Sequence, residues 1–218
     1  MLHVACSGFP VPTSRYFKEC RAVEISDTEL GIPGAGTLSR WLREAPEGFA
    51  FSVLAPKLIA SAGFVLNTET KGAVDEIATF AKQLTSHAVV FGAADTFDAS
   101  KTNRTRIRAF AEHALTKTKR VVLDLPGWAL KDSDAAFKNL DITLAFDPLL
   151  DVPPQHGDLA YLRLPGPSGY RSRYDAAAMD RVIEYCQGCR AKEVFVVFRN
   201  VDRFENSQHL AKALGAGA

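Results

Sequence analysis

Eight polar side chains stand at or just beyond the carboxyl ends of short apolar runs: Glu24, Lys57, Asp95, Asp124, Asp147, Arg163, Arg199 and Asn200. Carboxylates in such places can move protons, and cations can hold an anionic substrate or transition state. Glu24 alternates with Val23 and Ile25, so it points to the opposite side of its strand. A carboxylate buried there needs a partner, and Lys57 or Arg163 could supply it. Arg163 sits between Leu162 and Leu164, and its planar fork suits a phosphate or a carboxylate. Two readings stay open for both residues, a structural ion pair and a functional site. Lys57 follows an Ala-Pro dipeptide; it reads either as an anion-binding or desolvated nucleophilic lysine or as an exposed loop residue. The candidates for acid–base or covalent work are Glu24, Lys57 and Asp124.

A second cluster follows Arg163. The stretch Gly166-Pro-Ser-Gly-Tyr-Arg-Ser-Arg-Tyr174 joins glycines to the cations Arg171 and Arg173. Gly169 lets a backbone amide come close to a ligand, and Ser168 adds a hydroxyl. With Arg163, Arg199 and Asn200, these residues form the candidate ligand-binding set. The alternative is a solvated loop.

Metal chemistry has little to build on. The five histidines, at 3, 87, 113, 156 and 209, are scattered, and Cys186-Gln-Gly-Cys189 is a single Cys-x-x-Cys pair. Half a zinc ribbon is weak evidence, and the expectation is no bound metal and no cofactor. Nucleotide-binding glycine fingerprints and the Gly-x-Ser-x-Gly elbow are missing as well.

The elements that must position these residues follow from hydrophobic patterning. Apolar runs at residues 3–7, 21–26, 49–54, 88–91, 121–124, 142–146, 159–164 and 194–198 read as eight strands. Between them, Leu38/Trp41/Leu42, Val74/Ile77/Phe80/Ala81/Leu84, Ile107/Phe110/Ala111/Ala114/Leu115, Ala178/Met179/Val182/Ile183 and Phe204/Leu210/Leu214 recur at helical spacing. Residues 129–140 read as another helix. Near-continuous apolar runs are buried on both faces, as in parallel sheets. The pattern predicts a TIM-like (β/α)8 barrel, one domain over residues 1–218. The crossover between the sixth and seventh strands, residues 147–158, holds too many prolines for a helix and should be a loop or a single turn.

The pieces Ala22-Val-Glu-Ile-Ser26, Thr37-Leu-Ser-Arg-Trp41 and Phe49-Ala-Phe-Ser-Val-Leu-Ala-Pro-Lys57 resemble the opening third of the YecE-like family, domain of unknown function 72. Leu159-Ala-Tyr-Leu-Arg-Leu-Pro-Gly166, Tyr170 to Tyr174 and Val194-Phe-Val-Val-Phe-Arg-Asn200 resemble its closing third. The resemblance implies a TIM-barrel fold and no established reaction. It is that of a divergent member. Cys6-Ser-Gly-Phe9 replaces the usual Ser-Gly-Trp-Tyr, Phe91-Gly-Ala-Ala-Asp-Thr96 stands where Gln-Leu-Pro-Pro is usual, and Leu123-Asp-Leu-Pro-Gly-Trp128 replaces Glu-Phe-Arg-His-Pro-Ser-Trp.

Composition bounds the partners. The chain carries 26 basic and 25 acidic residues, a net charge of +1, which counts against a protein that coats nucleic acid. Its apolar runs are too short to span a bilayer, which predicts no membrane partner. Four cysteines do not form a disulfide framework, and no signal-peptide pattern opens the chain, so a cytoplasmic location is expected. The expected partner is a small anionic ligand at the carboxyl end of the barrel strands, with acid–base chemistry as the form any catalysis would take. The alternatives are a non-catalytic binding or structural module, and a nucleic-acid phosphate binder using Arg171, Arg173 and Arg199. The sequence is silent on oligomeric partners.

Overall fold

In a computed structural model, which describes residues 1–150 and 157–216, all eight apolar runs are strands. They are β1 (Leu2–Ser7), β2 (Ala22–Ile25), β3 (Ala50–Leu54), β4 (Val89–Gly92), β5 (Val121–Asp124), β6 (Ile142–Phe146), β7 (Leu159–Leu164) and β8 (Glu193–Phe198). They join in sequence order into a closed parallel barrel, with β1 hydrogen-bonded to both β2 and β8. The intervening helices are α1 (Thr13–Glu19), α2 (Ala35–Glu44), α3 (Lys57–Ser61), α4 (Thr68–Gln83), α5 (Lys101–Leu115), α6 (Leu130–Phe137), α7 (Ala176–Gly188) and α8 (Arg203–Ala213).

Two of these differ from the sequence expectation. Helix α1 fills the first crossover, where only Tyr16 and Phe17 turn inward and no repeated apolar spacing exists to reveal it. Helix α3 begins at Lys57, directly after Pro56, whose fixed φ suits a helix entry. In the irregular crossover, residues 147–150 form a turn; the remainder, with His156, lies outside the described residues.

Contacts group the chain into two compact units, one of residues 1–25, 40–50 and 145–218, the other of residues 26–39 and 51–144. In the first, Val4, Leu162, Leu164, Val194, Val196 and Phe198 face Met179, Val182 and Leu210 of α7 and α8. Because strand side chains alternate, the odd-numbered residues of β1, β7 and β8 turn to the other, inner face. There the Tyr161 and Phe195 rings stack at 5.2 Å. In the second unit Phe110 of α5 packs edge-on against both Phe64 and Phe91, and Trp128 stacks on Phe97. Helix α4 starts at a reciprocal capping box in which Asn67 and Thr70 satisfy each other's backbone amides.

Candidate functional site

Glu24 and Ser7 lie side by side in the register of β1 and β2, one residue short of the end of β2 and at the end of β1. Glu24 is wholly buried. Its Oε1 accepts hydrogen bonds from Arg163 Nη2 at 2.8 Å and from Ser7 Oγ at 3.0 Å. Its Oε2 accepts one from the Tyr161 hydroxyl at 3.0 Å. Arg163, at 4% exposure, is buried with it. Three strands thus send four polar side chains to one point on the inner face, close to the strand carboxyl ends. Fixed charge and a half-buried hydroxyl, Ser7, meet there at the edge of solvent.

The loop after β7 is tightly organised. Gly166 has φ +100°, and a Cβ built on it would lie 2.5 Å from Gly169 O and 2.6 Å from Ser172 Oγ. Its N–H donates to the Tyr174 hydroxyl at 2.7 Å. Ser168 N donates to Ser172 Oγ at 2.9 Å, and Gly169 N to Gly166 O at 3.1 Å. Asn200, fully buried, bridges this loop and α8: its Nδ2 donates to Ser172 O, and its Oδ1 accepts from Asn206 Nδ2. The loop amides at 166, 168 and 169 are therefore spent on the loop itself.

The loop cations divide. Arg173 is held by Asp202 at 2.7 Å, just ahead of α8. Arg171 is exposed, with Nε donating to its neighbour Tyr170 and its guanidinium over that ring. Arg199 follows β8, its amide donating to Leu164 O, and acts electrostatically on Tyr174. Burial and then the Asp147 carboxylate push the Tyr174 phenol well above its ordinary value, so it stays a neutral acceptor for Gly166. Burial likewise raises Asp147, which the Leu149 amide and Arg181 offset in part.

Of the residues nominated from sequence, Glu24 and Arg163 are brought into contact. Ser168, Gly169, Arg171, Arg173 and Asn200 share one loop system beyond β7 and β8. Lys57, exposed at the start of α3, Asp95, exposed, and Asp124, half-buried at the end of β5, belong to the second unit. Tyr161 and Ser7 were not nominated. Tyr161 shares the strand face of Arg163, two residues away, and Ser7 closes its strand as Glu24 nearly closes the next; both signals are in the alternation.

At the opposite, amino-terminal ends of β1 and β8, His3 Nε2 stands 3.3 Å from Glu193 Oε1, beside the Phe195 ring. All four cysteines are free thiols, and Cys189 Sγ makes a long contact of 3.9 Å with the Tyr185 hydroxyl on α7. No helix among the described residues is long and apolar enough to cross a membrane.

A sequence profile of the family described as protein of unknown function DUF72 matches residues 13–218. No curated protein gives a match. Among solved structures, a DUF72 family protein from Enterococcus faecalis V583 aligns with a TM-score of 0.80 at 20% identity, over 99% of this chain and 98% of its own. One from Thermotoga maritima MSB8 aligns at 0.76 and 18% identity, over 99% of each chain. A GH18 chitinase from Pseudoalteromonas aurantia aligns at 0.62 and 10% identity, over 97% of this chain and 99% of its own. At these identities the likeness is one of fold.

Proposed function

The chain belongs to the DUF72 family, and we propose that it binds a small phosphate- or carboxylate-bearing ligand at the carboxyl ends of β1, β2, β7 and β8, with Glu24 placed for acid–base work. One observation carries this reading: a wholly buried carboxylate held by Arg163, Tyr161 and Ser7 near the strand ends. An apolar layer would fill that space without desolvating two charges. Donors from Arg163, Ser7 and Tyr161 fix how the Glu24 carboxylate is presented. Arg163 then acts as a positioning residue, already neutralised by Glu24. The charge that meets a ligand comes from Arg171 and Arg199 at the loop ends.

A second reading has its own support. Ser7, Tyr161 and Arg163 all point their donors at Glu24, which is also what a purely structural polar brace would look like. Thermal melts with inorganic phosphate and with phosphorylated or carboxylated metabolites separate the two. Ligand binding predicts a rise in Tm for the wild type that shrinks in Arg171→Ala/Arg199→Ala. If no small anion moves the wild-type Tm while Arg163→Ala is strongly destabilised, the brace alone stands.

A further inference from the structure

The near-neutral charge of the chain hides a local imbalance. Residues 101–120 hold seven of its 26 cations, Lys101, Arg104, Arg106, Arg108, Lys117, Lys119 and Arg120, against one of its 25 acids, Glu112. Most of this charge lies on α5, whose other side is buried through Ile107, Phe110, Ala111 and Ala114. The apolar stripe fixes which way the helix faces, so the cations must face outward.

Three of them share a groove. Lys101, Arg104, Thr105 and Arg108 form one wall and Ala135 and Ala136 of α6 the other, around an open volume of about 450 Å³. The small alanines keep the far wall low. Arg108 holds the two helices in place, its Nη1 donating to Ala136 O at 2.7 Å and Lys138 O at 3.3 Å. Arg104 reaches Asp132 at 3.3 Å and Arg108 reaches Glu112 at 3.1 Å. Both arginines are more than a third exposed, so these pairs are weak, screened by salt and open to exchange for a phosphate. Lys101 is exposed at the groove's end.

We propose that this basic stripe and groove bind the phosphodiester backbone of a nucleic acid, without reading its sequence. Lys101, Arg104 and Arg108 extend along about 10 Å of helix axis at about 1.5 Å per residue. That matches roughly three phosphates of one strand at about 3.4 Å each. An anionic membrane is the competing polyanion, but it also takes apolar side chains into its interface. No described exposed large apolar residue lies on α5 itself; Leu58 and Val65, on the segment whose Phe64 packs against Phe110 of α5, are only 36% and 37% exposed. The surface shares no residue with the Glu24–Arg163 site, and the inference does not depend on that site's function.

The test is fluorescence anisotropy of a labelled single strand and of its duplex, with the full chain, across a salt series. Binding should weaken with salt with a log–log slope of about −2 to −3, for roughly three phosphates neutralised. Lys101→Glu/Thr105→Glu puts two carboxylates in the groove without touching a buried group. It should weaken binding about tenfold or more, as loss of phosphate contacts does. Arg40→Gln/Arg190→Glu makes the same change in net charge on other exposed positions and should leave affinity nearly unchanged. The Thr105→Glu single variant repeats the test if the double variant melts early. The proposal is overturned if the wild type shows no salt-dependent binding, if the groove variants bind as wild type, or if both double variants weaken equally. It is also overturned if phosphatidylserine vesicles are bound and the oligonucleotides are not.

Discussion

Glu24 is held in the interior by Arg163, with Ser7 and Tyr161 donating to the same carboxylate. Either charge alone would keep its desolvation penalty and lose the Coulombic and hydrogen-bonding return. Arg163→Ala should therefore destabilise the protein by about 3–5 kcal/mol, measured as a shift in urea midpoint at unchanged slope. Replacing both, as Glu24→Gln/Arg163→Met, should recover part of that loss, because Glu24 is then no longer left as a buried carboxylate without its cation. If the single variant loses less than about 1 kcal/mol, the range of an exposed pair, then the pair is not desolvated in solution. Half of this site could be found from the amino-acid order. Glu24 breaks an alternating apolar pattern and Arg163 interrupts a strand of leucines, so both stand out. Tyr161 and Ser7 do not, since a tyrosine in an apolar strand reads as core and a serine at a strand end reads as a turn. Their roles follow from register across strands far apart in sequence, which single-strand patterning cannot supply.

The loop between β7 and α7 shows how an element is set by one backbone position. Gly166 combines a left-handed φ with contacts that leave no room for a side chain, whereas Gly169, at φ +85°, has open space where its Cβ would be. Gly166→Ala should cost well over about 1 kcal/mol, because strain and collision add to each other. Gly169→Ala should cost less, and Gly169→Asn less again, since asparagine accepts φ > 0. For a chain of this size about 1 kcal/mol corresponds to roughly 2–4 °C in Tm, which makes the ranking measurable. Equal losses at the two glycines would mean that the loop is not packed as described. Elements of this kind varied in how plainly the sequence announced them. The eight strands were legible because continuous apolar runs bounded by Gly, Pro and charges have few other homes. Helices α4 and α5 were legible from four or more apolar residues on one face. Helix α1 escaped because seven residues with two buried aromatics carry no period. Lys57 was placed at a strand end, whereas Pro56 makes it the first residue of a short helix.

At the scale of the whole molecule, stability should respond to alkali through thiols and phenols taken wholly or partly out of water: Cys186, Tyr174 and Tyr185, each raised by burial, and one cluster of three. Cys6, Tyr16 and Cys20 lie together where β1, α1 and α8 meet. The Tyr16 hydroxyl donates to Ala22 O at 2.8 Å and accepts from the Cys6 amide at 3.0 Å. Cys6 Sγ contacts Ser207 Oγ and Arg203 O on α8. Burial raises all three acids from ordinary values of 9.0 for the thiols and 10.0 for the phenol, Cys20 to about 12. In the unfolded chain the same groups ionise near their ordinary values. Between the two limits the folded state holds protons that the unfolded state has released, so stability must fall as pH rises. Below about pH 9 both states are protonated and these groups contribute no pH dependence. Above it, each group can remove up to about 1.4 kcal/mol per pH unit until its folded value is reached. The thiols act first and Tyr16 joins about one unit later. Urea midpoints measured from pH 7 to 11 should be level at first, then decline with a slope that steepens near pH 10. Cys6→Ala/Cys20→Ala should lower stability at neutral pH by leaving small cavities, yet flatten the first part of the decline. A wild-type curve that stays level through pH 11, or a double variant that declines as steeply as the wild type just above about pH 9, would show that alkali reaches these groups in the folded protein as easily as in the unfolded chain.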